Sequence, residues 1–157
     1  MKSNQSRFLQ VMLIATLVLL TIQYELGMEV NLSPDLPNLA PFDFSLIKIS
    51  DALHLAGPVA LAHAGLGVLL TLLSMLTLVL SLRSRTRSVQ IWGSLGFLSM
   101  FVAMTGGILF TLSGFQEDHY SAAMASNFIL VFIFYFLELY CLKPDRGSGN
   151  EAGRTHE

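Results

Sequence analysis

Apolar residues in this chain come in four long runs separated by short polar stretches. The first, about 8–27, carries no charge from Phe8 to Ile22, and Gln10 is its one strongly polar residue there. An α-helix rises 1.5 Å per residue, so about 20 apolar residues cross the hydrocarbon core of a bilayer. The run therefore predicts a transmembrane helix. Lys2 and Arg7 ahead of it also fit a signal peptide, but Gln23-Tyr24-Glu25-Leu26 is a poor small-residue cleavage site, which favours an uncleaved helix. The second run, about 52–82, is longer than a span requires. Pro58 divides it, and proline suits a first helical turn or a kink, so 58–82 is the spanning part. The third run is about 89–114 and the fourth about 119–142. Only Gln116-Glu117-Asp118 separates these two, which makes them antiparallel neighbours.

Between the first two runs, Pro34, Pro37 and Pro41 break any regular helix. Phe42, Phe44, Leu46 and Ile47 then bring the second half of this loop onto the membrane interface. Residues 143–157 are polar and glycine-containing, as in a disordered tail. The pattern predicts an all-α integral membrane domain over 1–142, an antiparallel four-helix bundle of up-down-up-down topology.

Composition agrees. The chain is 53% hydrophobic and 13% charged, where a soluble domain carries about a quarter charged residues. The lipid bilayer is thus the first partner, and other membrane proteins or a second copy are further candidates. The single cysteine, Cys141, rules out an intrachain disulfide and CxxC metal sites. Gly65-x-Gly67 lies inside an apolar helix and is no phosphate cradle, and nothing points to nucleic acid.

Charge distribution adds the sidedness. Lys2, Arg7, Arg83, Arg85, Arg87, Lys143, Arg146 and Arg154 all fall at one end of the bundle, and Lys48 alone at the other. The positive-inside rule puts the basic end, with both termini, in the cytoplasm of a cell-membrane protein. The other end collects Glu25, Glu29, Asp35, Asp43, Asp51, Glu117 and Asp118.

Small residues recur along the helices. The second run has Ala56, Ala60 and Ala64, the third Ser99, Ala103, Gly107 and Thr111, and the fourth Ala122 and Ser126. Such stripes let helix backbones approach in lipid. Gly106-Gly107 also fits a second use, making room for a flat cofactor.

Candidate chemistry centres on histidine. His63 lies about five residues into its span, roughly 8 Å deep, among apolar neighbours. His119 opens the fourth run, and His54 precedes Pro58. An ionisable residue inside a membrane is a functional hypothesis. Neutral imidazole ligates haem iron and divalent metals, and two histidines on different helices at similar depth suit a b-type haem. His63 and His119 meet that description as iron ligands, with His54 as substitute. The alternative for each is structural: a helix-to-helix hydrogen bond for His63, an interfacial residue for His119 and His54. His54 and His63 stand about 180° apart on an ideal helix, so they share a site only if the helix breaks at Gly57-Pro58. Histidines and carboxylates at this end also raise zinc, although no HExxH-type spacing is present. Glu138, one turn from the end of its run, is expected to snorkel to the interface beside Tyr140 and Lys143.

In Gln23…Leu26-Gly27…Val30-Asn31, Asp51-Ala-Leu-His54, Thr105-Gly106-Gly107 and the His54-to-His119 separation, the chain resembles half of a haem A synthase over roughly residues 10–140. That resemblance implies haem binding by histidines on the second and fourth helices, with Asp51 as the polar, tentatively catalytic group near the substrate edge. The departures are Asp51 where that family has Glu, Leu55 where it has Arg, and no cysteine pair in the outer loop. The chain is equally similar to small uncharacterised four-helix membrane proteins at Gly27-Met28-Glu29-Val30-Asn31-Leu32, His63-Ala64-Gly65-Leu66-Gly67 and Ser121-Ala122-Ala123-Met124. This likeness implies an architecture and singles out His63.

The sequence thus leads to a haem-binding membrane protein serving electron transfer or haem modification. A non-catalytic membrane subunit or scaffold is the alternative. A transporter ranks below both, because the cytoplasmic half shows almost no polar pathway.

Overall fold

A computed structural model describes residues 3–33 and 36–142. Its elements are α1 (Ser3–Leu32), α2 (Leu46–Leu55), α3 (Pro58–Leu82), α4 (Arg87–Leu112) and α5 (Asp118–Cys141). Among the described residues there is no strand. α1, α3, α4 and α5 are each long and apolar enough to cross a membrane. The chain is an all-α integral membrane bundle.

The boundaries follow from local chemistry. α1 outruns the expected 8–27 at both ends, because nothing between Ser3 and Leu32 breaks it. The expected 52–82 helix is two helices. Gly57 sits at φ +97°, where residues with a Cβ are strained, and Pro58 starts α3 at a position where its missing N–H costs nothing. α2 begins earlier than Ala52, at Leu46, where the Ser45 side chain accepts from the Lys48 N–H. The third and fourth runs appear as Arg87–Leu112 and Asp118–Cys141. Pro34, Asp35 and the expected tail, 143–157, lie outside the described residues.

The four long helices form a ring in which α1 touches α3 and α5, and α4 touches α3 and α5. Two hydrogen bonds fix α1 antiparallel to α5. Gln10, near the start of α1, donates to the Leu142 carbonyl at 2.8 Å, and Ser121, near the start of α5, donates to Asn31 Oδ1 at 3.0 Å. One end of the bundle therefore holds the start of α1, the α3–α4 turn and the end of α5; we call it the turn pole. The other, the α2 pole, holds α2 and the α4–α5 turn. The loop before α2 is docked there by Leu39 N–H to Gly114 O (3.3 Å) and Phe42 N–H to Leu112 O (3.0 Å).

Helical phase separates core from lipid face. On α1, Leu9, Leu13, Thr16 and Leu20 are buried, while Phe8, Val11, Ile14, Val18 and Ile22 point outward. Outward apolar rows of this kind continue on the other long helices, and hydrocarbon is the solvent that satisfies them. The most extensive seam lies between α4 and α5, where Gly93, Gly96, Ser99, Ala103 and Gly106 are buried along one stripe of α4. Small side chains let these backbones approach closely.

Candidate functional site

Two polar clusters lie within the bundle, one fully buried toward the turn pole and one half-buried toward the α2 pole. The turn-pole cluster joins α3 to α5 across the ring. Ser74, Thr77 and Ser81 recur every three or four residues on α3, and Tyr135 and Glu138 are three apart on α5. All five are fully buried. The Tyr135 hydroxyl is hydrogen-bonded to the Ser74 hydroxyl, and the Glu138 carboxyl to the Ser81 hydroxyl. Ser81 Oγ also bonds the Thr77 carbonyl at 2.7 Å. Thr77 Oγ1 and Glu138 Oε2 have no partner.

Helices α3 and α5 stand diagonally, and their side chains meet because α4 offers none between them. A Cβ at Gly93 would lie 2.6 Å from Ser81 Cβ and 3.1 Å from Glu138 Oε1, and one at Gly96 would fall on the Tyr135 ring. The two glycines are the space that Tyr135 and Glu138 occupy.

This overturns the expectation that Glu138 snorkels. Glu138 follows Val131 and Tyr135 on the inward stripe of α5, with all three fully buried, whereas Tyr140 is exposed. Phase, not distance from the helix end, decides where the carboxyl points. The turn-pole half, expected to offer almost no polar pathway, is lined by Ser74, Thr77 and Ser81.

Tyr135→Phe tests the cluster's upper rung. It leaves Ser74 Oγ without its buried partner, so stability in detergent should fall by about 1 kcal/mol. Unfolding by graded SDS in mixed micelles measures this, and Ser74→Ala combined with Tyr135→Phe should recover part of the loss.

The α2-pole cluster joins α1 to α3. The Gln23 amide nitrogen donates to the His63 carbonyl at 3.1 Å and lies 3.3 Å from His63 Nε2. An amide nitrogen only donates, so in the neutral ring Nε2 accepts and Nδ1 carries the hydrogen. That Nδ1 and Gln23 Oε1 are buried with no partner. Gly27 admits the ring: a Cβ there would lie 2.9 Å from His63 Cε1.

The residues against His63 are thus Gln23 and Gly27, not the others singled out by sequence. His119 is 64% exposed, with Nδ1 3.2 Å from Glu117 Oε2 and its ring against Tyr120. Asp51 and His54 are exposed on α2. Gly106 and Gly107 face α5: Cβ atoms there would lie 3.2 Å from the Tyr120 carbonyl and 3.3 Å from Met124 Sδ. The room they leave is filled by α5. Among the described residues no three His, Cys, Asp or Glu side chains converge. A cleft of ≈ 290 Å³ opens between the end of α1 and the α2–α3 junction, lined in part by Glu29, Val30, Leu55 and Ala60.

No known family, no curated protein and no solved structure matches the chain.

Proposed function

We propose that the protein is a multi-pass protein of the cell membrane, with both termini in the cytoplasm, and that it serves as a non-catalytic subunit packing against another membrane protein. Ala122, Ala125 and Ser126 on α5 carry this reading. They face outward near the α2 pole, beyond the small residues already used between α4 and α5. Small outward residues are the docking surface of a membrane helix. Sidedness follows the charges: Arg83, Arg85 and Arg87 are exposed at the turn pole, and Glu25, Glu29, Asp43, Asp51, Glu117 and Asp118 at the other.

Native electrophoresis in mild detergent tests the subunit role. The wild-type protein should migrate in a complex larger than one chain, and Ala122→Leu with Ser126→Leu should release it. A wild-type protein that runs as a single chain, or a complex indifferent to both substitutions, contradicts the proposal.

A second reading is supported by the unpartnered Nδ1 of His63 and Oε1 of Gln23 on the α1–α3 seam. It makes the protein a binder of b-type haem for electron transfer or haem modification. His63 would be the first ligand, His119 or His54 the second, and Asp51 the group near the substrate edge. The arrangement described above does not fit haem as it stands. Gln23 holds His63 Nε2, Gly27 abuts the ring, and His119 is turned to Glu117. Haem binding requires α1 to move away from α3. A visible spectrum of protein purified from haem-supplied cells decides the matter: a Soret band lost in His63→Ala supports haem, and a featureless spectrum ends that reading.

A further inference from the structure

We propose that Glu138 is a proton-binding site: it is held in the bundle as a neutral carboxylic acid that exchanges its proton with the turn pole. The partners of the carboxyl are too few for a buried charge. Ser81 Oγ is in hydrogen-bonding contact with two oxygens, the Thr77 carbonyl and Glu138 Oε1. A serine hydroxyl has one hydrogen, and a carbonyl oxygen only accepts. That one hydrogen is shared between two acceptors, so Glu138 Oε1 receives from Ser81 at most part of one hydrogen bond.

The surroundings agree with a neutral acid. Glu138 is 0% exposed and its second oxygen, Oε2, receives no hydrogen bond. A neutral carboxyl tolerates that state far better than a carboxylate, because a buried charge without partners is far more costly than an unpaired neutral group. Ser81 reaches the acid from α3, and Gly93 comes close to it from α4. Leu9 and Leu13 of α1 and Val89 of α4 belong to the same core. The titratable neighbour is Tyr135, on the same helix, and its hydroxyl is committed to Ser74. Among the described residues no Lys, Arg or His pairs with Glu138; Arg7, Arg83, Arg85 and Arg87 at this pole are exposed.

The route for the proton is set by polarity. Toward the turn pole, Glu138 is one turn from the end of α5 and Ser81 adjoins the last residue of α3. Buried Ser84 and half-buried Gln90 continue the polar lining there. The turn-pole face is the nearest exit for the proton, and its loss would place an unpaired charge between α3, α4 and α5.

Infrared difference spectra of the protein in lipid vesicles test the proposal directly. Wild type minus Glu138→Gln near neutral pH should show the carbonyl stretch of a protonated carboxyl, and transfer to D2O should shift that band. A carboxylate pair of bands in the difference spectrum would overturn the neutral acid. A protonated-carboxyl band unmoved by D2O would overturn exchange with the turn pole. Circular dichroism of Glu138→Gln, expected to match wild type, shows that the subtraction compares two folded proteins.

Discussion

Gly96→Ala is expected to destabilise the protein by about 2–3 kcal/mol, a range set by the overpacking of a close-packed core. The added methyl group would fall on the Tyr135 ring. That ring cannot swing aside, because it is fully buried and its hydroxyl is held by Ser74. Alanine gains up to about 1 kcal/mol over glycine in helix propensity, which is too little to offset the clash. The contrast is Gly65→Ala on the outward face of α3, where a Cβ would meet nothing within 4 Å. There only the propensity remains, so stability should be unchanged or slightly higher. Unfolding by graded SDS, followed by helical circular dichroism, compares the two. Equal behaviour of both variants would mean that α4 and α5 do not close over Tyr135 as described.

Glu138→Ala is expected to be comparably damaging, at about 2–4 kcal/mol. It empties the volume of a buried side chain and strips Ser81 of its partner across the bundle. Glu138→Gln should cost less than about 1 kcal/mol, since an amide oxygen replaces the carboxyl oxygen that accepts from Ser81 at nearly the same size. The pair separates packing from charge. If the carboxyl were held as an anion that stabilises the bundle, Glu138→Gln would be as harmful as Glu138→Ala.

The long-range architecture was legible because hydropathy runs are written locally. Apolar length placed four spans, and Pro58 after Gly57 placed the break that separates α2 from α3. What hydropathy does not carry is rotation about the helix axis. Glu138 read as interfacial because it is near a helix end; the stripe Val131, Tyr135, Glu138 would have turned it inward. Gly93 and Gly96 were passed over for the same reason, since their role appears only when α3 and α5 are set diagonally across α4. His63 was correctly seen as a histidine among apolar neighbours. Its contact with Gln23, by contrast, depends on the register of α1 against α3, which no local pattern encodes. The placement of His54 likewise follows from the chain turn at Gly57, which puts it on a separate exposed helix.

The central claim is a four-span bundle whose turn pole faces the cytoplasm, and substituted-cysteine labelling in intact cells tests it most directly. In a Cys141→Ser background, Gln116→Cys reports on the α2 pole and Arg85→Cys on the turn pole. Both positions are exposed. The account predicts that a membrane-impermeant maleimide labels Gln116→Cys in intact cells and Arg85→Cys only after permeabilisation. Labelling of Arg85→Cys from outside, or equal labelling of the two positions, would contradict it.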